Sequence, residues 1–161
     1  MTASERRAAM TASIMEETGI DEEMIERLVH AFYGKVRKDP WLGPVFEEKV
    51  ADWDLHLQRM CAFWSSVALM SGRYRGQPME KHLRLPVDGR HFDRWLALFR
   101  ETAEEVCPPT AAQHFIERAQ QIAESLELGM AGYQGQLLTK GERLRRPDDE
   151  VHLPQAEMNK T

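Results

Sequence analysis

Four side chains of this sequence carry chemistry at positions where the surrounding pattern asks for packing residues: Tyr33, His56, His82 and Trp95. An imidazole with a free ring nitrogen ligates a metal or moves a proton. A phenol or indole N–H donates to negative charge on a bound molecule. His82 stands out most, lying in "YRGQPMEKHLRLP" (74–86) on a short segment bounded by Pro78 and Pro86. On a helix, Met79, His82 and Leu83 share a face, so a polar ring interrupts an apolar stripe on an element too short to be stable alone.

The elements that must position these groups follow from period and caps. From Ile20 the pattern is helical, with Asp21 as N-cap and Ile20 placed to staple against Ile25. Met24, Ile25, Leu28, Val29, Phe32, Tyr33 and Val36 form a broad inner stripe that ends near Asp39 and Pro40. "DPWLGPVFEE" reads as a tight connection holding one short helical turn. A second long helix runs from about Val50 to Met70, with Trp53, His56, Leu57, Met60, Phe63, Trp64, Val67 and Met70 on its stripe. Asp88 caps a third, with Val87 and Phe92 in staple positions and Trp95, Leu96, Phe99, Ala103 and Val106 turned inward. "CPP" stops it, and Thr110 with Gln113 forms a capping-box pair for a fourth helix, whose inner face continues to Met130.

No run alternates as a strand does, so the fold class is all-α. Residues 1–19 lack a convincing period and read as a flexible extension, residues 20–132 as the domain. Residues 133–161, charged and Pro-interrupted, read as a mostly disordered tail in which Leu137 and Leu138 at most extend the last helix.

Composition bounds the partners. Acids outnumber bases 26 to 21, the net charge is -5, and the hydrophobic fraction is 42%. That describes a globular protein and argues against nucleic acid. Cys61 and Cys107 form no CxxC pair, which speaks against a disulfide scaffold or a zinc site. The N-terminal run lacks the apolar core of a signal peptide, and no window approaches the roughly 18 apolar residues that span a bilayer, so the expectation is a cytoplasmic protein without membrane contact.

Each inward polar residue has an ordinary reading. Tyr33 fits a core-edge tyrosine, Trp95 a packing residue, His56 the margin of its stripe, and His82 a core histidine satisfied by backbone. Together they are costly to bury without partners. A bare metal ion needs three or four ligands, and no carboxylate stands beside these histidines to complete such a set. An iron already held by four porphyrin nitrogens needs one protein ligand, and haem adds apolar bulk. His82 is then its anchor.

Taken in order, "FYGKVRKDPWLGPVF" (32–46), Trp53, His56, the "FW" of 63–64, "YRGQP", His82 and "FDRWLALF" (92–99) resemble the group III truncated haemoglobins over roughly residues 20–130. The resemblance implies a shortened globin, a two-over-two helical sandwich around haem b, iron protoporphyrin IX. It implies His82 as proximal iron ligand, with Tyr33, His56 and Trp95 on the distal side. Phe32 precedes the distal tyrosine, Phe46 and Met60 line the pocket, Phe63 and Trp64 lie near the haem edge, and Phe92 packs on the proximal side.

The resemblance further implies that Tyr33 and Trp95 steady bound dioxygen or polarise a peroxide, with His56 as a third donor, a gate or a sixth ligand. Three functions stay open: a haem protein reactive toward peroxide or nitric oxide, a ligand binder or sensor without turnover, and a haem-free helical interaction protein. The first needs a separate reductase, because no flavin or nicotinamide motif is present.

Overall fold

The structure, a computed structural model, describes residues 1–154. Among them are seven α-helices, one 3-10 turn at Asp148–Glu150 and no strand: α1 Ala3–Thr18, α2 Glu22–Val36, α3 Gly43–Lys49, α4 Trp53–Leu69, α5 Pro78–His82, α6 Gly89–Val106 and α7 Pro109–Tyr133. The all-α expectation holds. α2 packs on α4 and α6, α6 runs along α7, and α4 also reaches α7.

α2 forms as its caps and period dictate. Asp21 accepts from the Met24 N–H at 2.8 Å, and Ile20 and Ile25 are both fully buried in one core cluster. All seven residues of its stripe are buried. α4 starts at N-cap Asp52, but little of its expected stripe is covered: Trp64 is buried, beside Ala68 and Leu69 off the stripe, whereas Trp53, His56, Leu57, Met60, Phe63 and Val67 are half-buried. Met70, expected on the stripe, caps the helix in the left-handed conformation and is exposed.

α6 carries the predicted Asp88 cap, to which His91 adds a capping box. Its neighbour in the core, the buried carboxylate of Asp39, accepts from Trp41 N and Leu42 N at 3.0 Å and from Arg94 Nε at 2.7 Å, pinning the helix beside Trp95 to the turn after α2.

Four expectations are corrected. Residues 3–18 are helical, closed at the N-terminus by a Thr2–Glu5 capping box and at the C-terminus by Gly19 at φ 75°. α1 buries no residue fully, which is why no period shows, but Ile14 and Met15 lean on the core and Thr11 Oγ1 donates to Leu69 O at 2.7 Å. The connection after α2 holds a seven-residue helix, α3, rather than one turn.

The Thr110–Gln113 capping box does not form. Pro108 is the N-cap and Pro109, with φ preset for a helix, opens α7 two residues earlier than a Thr110 cap would, while Gln113 turns to Glu117 instead.

Residues 134–154 do not extend the last helix, which Gly135 at φ 82° excludes, nor are they detached. Leu144 is 1% exposed in a second cluster with Val45, Val87, Phe92 and Met130, held by Glu127, whose carboxylate accepts from Arg143 and from Leu144 N. The remainder of the expected tail, 155–161, lies outside the described residues.

Candidate functional site

His82 ends the five-residue α5, which buries nothing fully and packs on α7. Contact there is close because Gly129 of α7 lacks a side chain: a Cβ would fall 2.4 Å from Met79 Sδ. On α5, Nδ1 of His82 lies 2.6 Å from Pro78 O. A carbonyl only accepts, so Nδ1 carries the proton and Nε2 keeps its lone pair. Burial depresses the His82 pKa, with a smaller contribution from Lys81 against the opposing bond to Pro78, so the ring is neutral near pH 7.

Tyr33, Phe46, Trp53 and His56 form one aromatic cluster. The Tyr33 ring meets His56 edge-on at 5.2 Å, Phe46 at 5.7 Å and Trp53 at 6.2 Å. Burial alone pushes the Tyr33 hydroxyl well above the ordinary phenol range, leaving it a donor at any physiological pH.

The His56 pKa is lowered, by burial first and then by Arg59, Lys81 and His82, which makes this ring neutral too. Two buried polar atoms here lack a hydrogen-bond partner among the described residues: His56 Nε2 and Trp53 Nε1. Orphaned groups of this kind are costly in a core and ordinary in a site that meets a ligand.

A second aromatic group adjoins the first through Phe32, which contacts Tyr33 at 5.1 Å, Trp95 at 5.5 Å and Phe99 at 5.2 Å. Trp95 stacks on Phe99 and stays half-buried. The structure therefore brings Phe32, Tyr33, Phe46, His56 and Trp95 together, with Met60 half-buried one turn beyond His56.

Other predicted residues lie apart from this group. Trp64 is 1% exposed, stacked on Phe99 at 4.8 Å and 19° and edge-on to Phe115. Phe63 turns to Tyr74, and Phe92 sits in the second cluster beside Leu144.

Sequence reasoning passed over two features. One is Trp53 as a donor, its ring covered by the Arg37 guanidinium at 4.3 Å. The other is a basic cleft of about 340 Å³ lined by Arg59, Arg73, Arg75 and Lys81. Arg59 one turn after His56, and Lys81 beside His82, were the signal for it.

The donor set suits a flat, apolar, metal-bearing group. It offers one neutral imidazole with a free Nε2, a half-covered apolar band on α4 and α6, unpartnered buried polar atoms on Trp53 and His56, and a cluster of cations.

Comparison with known proteins points the same way. The bacterial-like globin family profile matches residues 13–127. A group 3 truncated hemoglobin of Campylobacter jejuni is 36% identical over 121 residues, 72% of this chain and 95% of that protein. A group 2 truncated hemoglobin of Bacillus subtilis is 25% identical over 89 residues, 54% of this chain and 67% of that one. The crystal structure of the group III truncated hemoglobin from Campylobacter jejuni superimposes with a TM-score of 0.62 at 35% identity, covering 76% of this chain and 95% of that one.

The pairing of α2 with α4 and of α6 with α7 is accordingly the two-over-two sandwich of a shortened globin. On the family match and on identity across nearly the whole Campylobacter protein, the chain belongs to the bacterial-like globins, a haem-binding family, and within it to the group 3 truncated haemoglobins.

Proposed function

We propose that this globin holds haem b through His82 and presents Tyr33, Trp95 and His56 to a small ligand, with reactivity toward peroxide or nitric oxide in addition to dioxygen binding. When bound, iron protoporphyrin IX would supply a redox-active iron able to take a small ligand. His82 contributes the Nε2 lone pair, its ring held by the bond to Pro78 O. Phe32, Phe46, Met60 and the ring of Trp95 contribute the apolar walls. Arg59, Arg73, Arg75 and Lys81 supply charge for the carboxylates of the group.

Tyr33 is a permanent donor, because burial keeps its hydroxyl protonated, and the Trp95 indole has no acceptor lone pair with which to repel an anionic ligand. His56, neutral and with Nε2 unpaired, accepts or donates a proton at that atom, which a peroxide requires when its O–O bond breaks. Aromatic rings around these groups exclude water, so each hydrogen bond acts in a low dielectric. Electrons come from a separate reductase, and the proposed compartment is the cytoplasm.

The observation that carries the reading is the combination of a neutral His82 whose Nδ1 is committed to Pro78 O with unpartnered buried nitrogens of Trp53 and His56 on α4. It is tested by the absorption spectrum of wild type and His82→Ala in ferric, ferrous and carbon monoxide forms. A histidine-ligated spectrum lost in the variant supports it. A protein that neither carries nor takes up haem overturns it. Mixing the ferrous dioxygen form with nitric oxide, and the ferric form with peroxide, then separates turnover from simple binding.

A further inference from the structure

The segment 143–152 lies beyond the globin match at 13–127, yet its polar contacts converge on the stretch that follows His82. Arg146 Nη1 donates to Leu85 O at 2.8 Å, and Arg146 N to the fully buried Asp88 carboxylate at 3.2 Å. His152 N donates to Pro86 O at 2.9 Å, while His152 O lies 2.7 Å from Nε2 of the buried His91. Gly89 N donates to Leu144 O at 2.9 Å, and Asp148 pairs with Arg90 at 3.1 Å.

At its base the segment is riveted to α7. Arg143 makes a forked bond to Glu127 at 2.8 Å through Nε and Nη2, and Leu144 N donates to the same carboxylate at 2.9 Å.

This placement matters because of what α5 lacks. Five residues with none fully buried cannot fix their own position, so α5 is located by Met79 on α7 and by the chain at its two ends. The C-terminal end is short: Leu85 N donates to His82 O at 3.1 Å, and Leu85 O is the acceptor that Arg146 takes. Two hydrogen bonds thus join the guanidinium to the main chain of the histidine.

We infer that residues 143–152 are a clamp on the proximal side, in which Arg146 and His152 hold the Leu85–Asp88 turn, Glu127 anchors the strap, and the orientation of the His82 imidazole depends on both. The inference rests on the haem reading above. Arg146 and Glu127 are positioning residues, acting through the turn and not on the iron. The clamp is also incompletely satisfied, since Arg146 Nε and His152 Nε2 are buried without partners among the described residues, which lowers the cost of opening it.

The test uses the full chain as wild type, Arg146→Ala, Arg146→Lys and Glu127→Gln, with two kinds of readout. In haem-free protein, amide hydrogen exchange at 83–91 accelerates in Arg146→Ala while α2 and the buried half of α4 keep wild-type protection. In ferrous haem-loaded protein, the iron–histidine stretching band shifts or broadens and haem passes to an acceptor globin about tenfold faster. Arg146→Lys, which retains one donor for Leu85 O, recovers most of both changes. Glu127→Gln gives the same pattern more weakly, and it substitutes for Arg146→Ala where that variant does not fold.

The clamp is overturned where exchange quickens at 143–152 alone, with 83–91, the stretching band and haem release unchanged. A wild-type chain that takes up no haem overturns the haem reading, and the positioning role with it, whatever the exchange data show.

Discussion

Nδ1 of His82 faces the carbonyl oxygen of Pro78 at 2.6 Å, within the same five-residue helix. The bond settles which nitrogen is free, and its acceptor belongs to the main chain of α5, so no side-chain substitution nearby removes it. His82→Gly should therefore lose haem while keeping the shape of the site, and added imidazole should restore a histidine-like absorption spectrum. Unchanged haem retention in His82→Gly would place the iron ligand elsewhere.

Tyr33 sets the next expectation. Its hydroxyl is protonated at all physiological pH, and a hydrogen bond to a partly charged ligand contributes about 1.5–3 kcal/mol. Tyr33→Phe should raise the dioxygen dissociation rate about 10- to 100-fold. Stability of the haem-free protein should stay within about 1 kcal/mol, because the ring contacts with Phe32, Phe46 and His56 persist. Stopped-flow displacement of dioxygen by carbon monoxide measures the first quantity and urea unfolding the second.

Trp64 separates core from cofactor contact. Its ring stacks on Phe99 and meets Phe115 edge-on, contacts made wholly within the protein core. Trp64→Ala should cost about 3–5 kcal/mol in the haem-free protein, as deletion of a large buried aromatic does. His82→Ala, at a half-buried position, should cost little there. Chemical denaturation of the two haem-free variants side by side checks the contrast, and equal losses would contradict it.

The parts legible in sequence are those whose signal is local. α2, α4 and α6 announce themselves through period, and α2 and α6 also through Asp21 and Asp88 at their N-caps; the Asp52 cap of α4 is missed by a period that reads from about Val50. His82 was visible because an imidazole on an apolar face of a short helix has to be explained.

The parts that escaped depend on distant partners. α1 buries nothing fully, so its apolar residues show no stripe, and it is held by contacts such as Thr11 to Leu69. Residues 143–152 look like a solvated charged run until Arg143 meets Glu127, 16 residues back, and Arg146 meets Leu85, 61 residues back. Charge spacing along the chain does not encode such closures. The basic cleft was hidden in the same way, its cations spread over α4, the loop after it and α5.

Acid sensitivity gives the last expectation. The pKa values of His56, His82 and His91 are all lowered, with burial the largest cause for each. In the unfolded chain these rings titrate near pH 6.5. Between that value and the lower folded values the unfolded state binds more protons, so stability rises with pH there and falls on acidification. A full proton of difference corresponds to about 1.4 kcal/mol per pH unit, and His56 and His82, partly open to solvent, should each give less. Protonation is costly at His91 for a visible reason: Nδ1 accepts from Asp88 N at 3.2 Å, and a proton there removes the acceptor. Urea midpoints of the haem-free protein should thus decline steadily from pH 7 to pH 5. The paired carboxylate of Asp88, held below the usual range by Arg90 and the Arg146 N–H against the opposing effect of burial, adds its own loss only at lower pH. A midpoint that is flat or rises over that interval would mean the imidazoles are charged in the folded protein, and would remove the neutral, iron-ready His82 on which the site depends.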